Sequence, residues 1–303
     1  MITKQHFPKF WKKEDSQVLQ DGKYVMEKFD LRFPGYIKNP YHPFTYCHSL
    51  TYSANPQDPK SVMTDKFSGS DSPDRFEENL KLMPDSWSYK TKEIVYKVNS
   101  SGYRTHEWKD INWKEAIVIL GCSNVFGIGV AEDEMVSTHL ERLTGRQVVN
   151  LGFPAGSNQL IVNNAATLIE EFGMPYAVVI NWSSLSRFRF FTERGYLEVG
   201  QWNAPGDLVG TREIEVGDVN VSKLWEQLHL DRHNEMAINY YLGKYANVMF
   251  KDRTKFITTS YFPESAHFTR ADSSIKIIPT ARDRLHPGPE NNIEFAEYIL
   301  GRL

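Results

Sequence analysis

From about residue 93 onward, short apolar runs alternate with stretches of helical spacing. Glu115–Leu120 (Glu-Ala-Ile-Val-Ile-Leu), Gln147–Leu151, Tyr176–Trp182 and Lys255–Ser260 have the pattern of parallel strands covered on both faces. Between them, Glu134–Leu143 and Gln159–Phe172 place apolar residues one helical turn apart and stop at Gly145 and Gly173. Lys223–Phe250 predicts a long helix with a break near Leu242-Gly243, and Glu290–Leu300 a final helix after Pro287-Gly288-Pro289. Glu93–Asn99 alternates as a strand, and Ser100–Arg104 reads as a turn. The glycine-rich, weakly alternating stretch 188–222 predicts an insertion with a hairpin. This order implies an α/β fold: a three-layer α/β/α sandwich around a mostly parallel sheet. Ligands of such sheets bind at the carboxyl ends of the strands.

The first 92 residues show neither period. Pro34, Pro40, Pro43, Pro56 and Pro59 interrupt any helix, with tyrosines and phenylalanines between them. The expectation is an irregular aromatic extension over 1–92, helical only at Asp74–Lys81, followed by an α/β domain over 93–303. Ser68-Gly-Ser-Asp-Ser-Pro-Asp74 reads as an exposed loop.

Composition narrows the class. With 41% hydrophobic residues in 303, the chain can bury a sizeable core, and a net charge of −3 argues against a nucleic-acid binder. No apolar run reaches membrane-spanning length, and Met1–Lys13 mixes Phe7, Phe10 and Trp11 with lysines instead of forming a signal peptide. Cys47 and Cys122 fall in different parts of the chain, which favours a reducing compartment. The expected location is therefore soluble, cytoplasmic or virion-associated, without a membrane or nucleic-acid partner.

Two strand-end sites carry chemistry. The Ile117–Leu120 run passes directly into Gly121-Cys-Ser-Asn124, so Ser123 sits at a strand-to-helix junction with its hydroxyl and N–H at the sheet edge. The same pattern also suits a serine that only caps a helix. Asp283-Arg-Leu-His286 sets an acid and a histidine just before the last helix. A serine nucleophile needs a base, and the base needs an acceptor that fixes its tautomer. The order Ser…Asp…His at opposite ends of an α/β alternation joins the two motifs.

The run Ile117-Val-Ile-Leu-Gly-Cys-Ser-Asn124, with Gly127 and Gly129, resembles the first block of the GDSL or SGNH hydrolase family, with Cys122 replacing the usual aspartate. Asn150-Leu-Gly-Phe-Pro-Ala-Gly-Ser-Asn158 resembles the second block and Asp283-Arg-Leu-His286 the fifth. The stretches Tyr96–Arg104 and Asn181–Ser184 with Arg187 are similar to SGNH-like proteins of bacteriophages. The resemblance implies a flavodoxin-like sheet and a serine esterase or deacylase without metal or cofactor. Ser123 would be the nucleophile, His286 the general base and acid, and Asp283 its orienting group. The Ser123 N–H and either Ala155 or Gly156 would bind the oxyanion, an alanine being tolerated if its φ stays negative. The implied substrate is an acylated small molecule or polysaccharide, foremost O-acetyl groups on a carbohydrate.

One part of the family pattern is missing. After the Tyr176–Ile180 strand the family places a Gly-X-Asn-Asp, where this chain has Asn181-Trp-Ser-Ser-Leu-Ser-Arg187. Asn181, a candidate by type, falls early, inside the strand itself; Ser183, Ser184 or Arg187 is the expected substitute, and Asn124 either braces its turn or touches substrate. The alternative function is a non-catalytic SGNH-fold binding or structural protein, such as a phage particle component with other phage structural proteins as partners. His229 and His233 have a zinc-compatible spacing, but a solvated helix face accounts for it. Gly127 and Gly129 lack the third glycine of a dinucleotide fingerprint.

Overall fold

In the computed structural model, the described residues are 63–192, 195–201, 215–216, 219–220, 223, 225–226, 229 and 232–303. Strands β1 to β11 are Met63–Asp65, Tyr96–Val98, Ile117–Gly121, Val148–Gly152, Ala177–Trp182, Phe188–Thr192, Gly195–Val199, Glu215–Val216, Val219–Asn220, Lys255–Ser260 and Ser273–Ser274. Helices α1 to α7 are Pro73–Leu82, Ser123–Phe126, Val136–Thr144, Asn158–Phe172, Arg232–Phe250, Pro263–Thr269 and Pro289–Leu300.

Five strands form one sheet in the order β11-β10-β5-β3-β4, every pair parallel. Period-two alternation splits their side chains between two cores. Val118, Leu120, Val149, Leu151, Val178 and Ile180 face Leu160 and Leu168 of α4 and Phe250 of α5. Ile117, Ile119, Ala177, Val179 and Ile257 face Leu140 of α3 and Phe295 and Ile299 of α7. Each such aliphatic side chain stabilises the fold by about 1.5–3 kcal/mol relative to leaving it in water. Burial on both faces is why these strands appear as unbroken apolar runs.

Residues 63–92 are tied into this core. β1 pairs antiparallel with β2, and Ser72 caps α1 by accepting from the Arg75 N–H. Trp87 and Tyr89 pack with Tyr96, Tyr103 and Phe126 in the core against α4 and α5. The aromatic stretch 1–62, including Cys47, lies outside the described residues.

Three details differ from the sequence expectation. α5 runs unbroken through Gly243 because the glycine serves a close approach: a Cβ there would stand 2.2 Å from the Thr269 carbonyl oxygen of α6. β11 and α6, too short for a periodic signal, extend the sheet edge beyond the four strands read from the sequence. The loop at 68–74 is not wholly exposed, since Ser68 and Asp71 are buried. Within 188–222 the described parts are a hairpin, β6 and β7, and the two-residue ladder of β8 and β9. No helix among the described residues is long and apolar enough to cross a membrane.

Candidate active site

The strand order reverses direction around β3. From β3 the chain moves to β4 on one side, then returns to β5 on the other. That leaves a crevice at the carboxyl end of β3, the switch point of an open sheet. Ser123 stands there as the first residue of α2, only two residues beyond the last paired position of β3. As in any helix start, the first N–H groups lack intrahelical partners. Those of Ser123 and Asn124 have no partner among the described residues.

The β4 end is fitted closely to this short helix. Asn150 donates from Nδ2 to the Val125 carbonyl at 2.8 Å and accepts at Oδ1 from the Gly152 N–H at 2.8 Å. Gly152 itself must lack a side chain, because a Cβ would fall 2.2 Å from the Phe126 nitrogen. On the other flank, Arg104 donates to the Gly127 carbonyl at 2.6 Å and its guanidinium lies 4.7 Å from the centre of the Tyr96 ring. Burial pushes Arg104 down to about 10, which leaves it charged at neutral pH.

The loop before α7 brings the acid and the histidine to the same point. His286 Nε2 lies 2.8 Å from Ser123 Oγ, and His286 Nδ1 lies 2.6 Å from Asp283 Oδ2. With a carboxylate at Nδ1, the neutral imidazole keeps its proton there and turns the Nε2 lone pair toward the serine. Asp283 is fully buried, and its Oδ1 accepts from the N–H groups of Leu285 at 3.0 Å and His286 at 3.2 Å. Burial pushes this carboxyl up, but the hydrogen bond and charge of His286, with the hydrogen bonds from Ser70 and the Leu285 N–H, outweigh it and hold Asp283 below the usual carboxylate range. Arg284 reaches its place in the loop with a left-handed φ of 55°. The arrangement can draw a proton from Ser123 and hold the resulting imidazolium against a buried carboxylate.

The expected oxyanion residues divide. Ala155 has φ of 62°, against the expected negative value, so its backbone is left-handed at a cost of about 1–2 kcal/mol. Its N–H has no partner among the described residues. Gly156 is corrected: its N–H is spent on the Phe153 carbonyl at 2.9 Å. Asn181 lies in the strand itself, β5. It is fully buried, and its amide donates across the strand pair to Thr259 Oγ1 at 2.9 Å. Ser183 is committed to a brace, its N–H donating to Asn158 Oδ1 at 2.7 Å and its hydroxyl accepting from Arg187 at 2.9 Å. Arg187 is thereby directed to Ser183. Ser184 shares a hydrogen bond with Ser186 at 3.0 Å. Asn124 is buried beside Ser123 and makes no side-chain hydrogen bond to a described residue. Cys122 is a buried free thiol. His229 bonds Glu235 at 2.8 Å and stacks on Trp225, and no metal-binding cluster of His, Cys, Asp and Glu occurs among the described residues.

The sequence reading missed Ser70. Its hydroxyl donates to Asp283 Oδ2 at 2.6 Å across 213 residues of chain. Nothing local signals this contact, since Ser70 lies in a polar turn without periodicity.

No protein-family profile matches the sequence, and no curated relative matches it. Eighteen chains of solved structures match it, three of which follow. A G-D-S-L family protein from Desulfitobacterium hafniense DCB-2 is 13% identical, covers 63% of this chain and 100% of its own, with a TM-score of 0.35. An acetyl xylan esterase from the rumen bacterium Butyrivibrio proteoclasticus is 10% identical, covers 70% and 68%, with a TM-score of 0.35. AlinE4, an SGNH-hydrolase family esterase, is 11% identical, covers 64% and 98%, with a TM-score of 0.30. At these distances the functional reading rests on the site's own geometry.

Proposed function

We propose that the chain is a serine esterase or deacylase of the SGNH type. Ser123 Oγ attacks an ester carbonyl while His286 Nε2 takes its proton. The tetrahedral intermediate expels the alcohol, which receives that proton from His286, and the acyl group stays on Ser123. A water deprotonated by His286 then attacks the acyl-enzyme, releasing the acid and returning the proton to Ser123. Asp283 holds the imidazole tautomer throughout and does not itself take the proton. The negative oxygen is met by the Ser123 N–H and by the Ala155 N–H as second donor.

The observation that carries this reading is the continuous chain of contacts, Ser123 to His286 at 2.8 Å and His286 to Asp283 at 2.6 Å. A helix-capping serine and a surface acid would have no reason to share one histidine. O-acetyl groups on a carbohydrate are the proposed substrate, following the motif resemblance.

The test is hydrolysis of 4-nitrophenyl acetate and of acetylated xylan by wild type and Ser123→Ala. The variant is expected to lose about 10³-fold or more in kcat. Equal rates would remove Ser123 from the mechanism.

One observation favours a second reading, a binding protein that keeps the fold without turnover. The Asn181 amide is spent on Thr259, so the third-block donor is lacking, and losing one donor costs about 10² to 10³ in rate. Stoichiometric labelling of Ser123 by a fluorophosphonate would exclude that reading. An unlabelled protein isolated in fixed ratio with partner chains would favour it.

A further inference from the structure

We propose that Ser70 is a positioning residue of this site: its hydroxyl fixes the Asp283 carboxylate and, through it, the His286 ring. The inference rests on the serine esterase reading above and extends the machinery to a turn outside the α/β alternation.

Ser70 is presented by a tight turn. Ser68 and Asp71 exchange backbone hydrogen bonds at 3.0 and 3.1 Å, and Gly69 takes φ of 58° between them. From this turn the Ser70 hydroxyl donates to Asp283 Oδ2 at 2.6 Å and lies 3.4 Å from His286 Nδ1. It therefore shares one carboxylate oxygen with the His286 ring. Among the described residues, the other oxygen takes only the two longer backbone bonds described above. A carboxylate torsion is broad and soft, and a short charge-assisted O–H···O⁻ bond is among the stronger restraints available to it. Without it, Oδ2 can swing and carry the His286 ring away from Ser123.

The turn is itself anchored to both halves of the site. Arg282, the residue before Asp283, donates from Nε to Asp71 Oδ1 at 2.8 Å and from Nη2 to Asp71 Oδ2 at 2.7 Å. The Arg282 N–H donates to the Gly129 carbonyl at 2.7 Å, and the Gly129 N–H donates to the Tyr96 hydroxyl at 2.7 Å. Tyr96 closes the ring by donating to Asp71 Oδ2 at 2.5 Å. Gly129 belongs to the loop after the nucleophile helix, so one buried circuit joins the Ser70 turn, the Ser123 loop and the Asp283 loop. A serine in an unattached surface turn could not hold a position to this tolerance.

The experiment measures kcat, KM and melting temperature for wild type, Ser70→Ala, Ser70→Thr and Ser123→Ala on 4-nitrophenyl acetate. Ser70→Ala is expected to lower kcat about 10- to 100-fold with KM within about threefold, because the lost contact orients the base without touching substrate. Ser70→Thr keeps the hydroxyl and should recover most of kcat. Three results would overturn the inference: wild-type kcat in Ser70→Ala, a loss confined to KM, or equal losses in the alanine and threonine variants at unchanged melting temperature. Full activity in Ser123→Ala would instead defeat the esterase reading. An inactive Ser123→Ala beside a fully active Ser70→Ala would leave that reading standing and remove Ser70.

Discussion

Replacing Asp71 by alanine tests the buried circuit most directly. The carboxylate takes two hydrogen bonds from Arg282 and one from Tyr96, and the Asp71 and Arg282 side chains are only 1% and 4% exposed. Alanine leaves the guanidinium buried with its Nε unpaired, with Nη2 retaining the Lys66 carbonyl, and strands the Tyr96 hydroxyl without its acceptor. Breaking a buried ion pair from one side costs about 3–5 kcal/mol, most of it from the charge left behind. At about 2–4 °C per kcal/mol for domains of 150–250 residues, the melting temperature should fall by roughly 6 to 20 °C. Removing both charges, as Asp71→Leu with Arg282→Met, should recover at least half of that loss, because the uncompensated cation is gone. The assay is thermal unfolding followed by circular dichroism at pH 7 for Asp71→Ala, for the singles Asp71→Leu and Arg282→Met, and for their double. A fall below about 1 kcal/mol in Asp71→Ala, or a double variant worse than the sum of the singles, would refute the reasoning.

Other predictions concern the site and its supports. Gly152→Ala should cost about 1–3 kcal/mol and lower kcat, because the new Cβ displaces the nucleophile helix; unchanged melting temperature and kcat would contradict the close fit. Asn181→Ala should lower stability yet leave kcat of the folded enzyme within a few-fold, since its amide serves Thr259; a hundredfold fall in kcat would return it to the oxyanion site. For Asp283, held below the ordinary carboxylate value near 4, the stability it contributes is fully present above about pH 4 and is lost as pH falls through its lowered folded value. The stability difference between wild type and Asp283→Asn, measured by urea unfolding, should therefore be undiminished at pH 5 relative to pH 7 and narrow below pH 4; a difference already smaller at pH 5 than at pH 7 would show a raised carboxyl.

Most of the sheet could be read from the sequence because its strands are buried on both faces. The run at 117–120 is apolar throughout and the run at 176–182 is interrupted only by the buried Asn181, and such runs bounded by turns have few other interpretations. Helix ends were readable where a glycine closes them, as at Gly145. Gly243 shows the limit: the same residue that ends a helix also lets another helix come close, and only the position of Thr269 decides between them. Ser123, Asp283 and His286 announce themselves through local motifs, so the sequence could nominate them. Their common hydrogen-bonded line, like the commitment of Asn181 to Thr259, depends on long-range placement. Ser70 and Asp71 have no local signature at all, because the partners that matter for the site, Asp283 and Arg282, lie more than two hundred residues away.

That distance bears on how the protein is made. Asp71 and Ser70 leave the ribosome early, whereas Arg282 and Asp283 follow 211 and 213 residues later. At synthesis rates of about 5–20 residues per second, the early turn waits roughly 10–40 seconds for its partners. Through that interval the Asp71 carboxylate lacks its Arg282 partner, while the strands β3, β4 and β5 can assemble around local crossovers. The Ser123 loop is therefore made before the histidine and carboxylate that contact it, and the loop before α7 is the last part of the site to be synthesised.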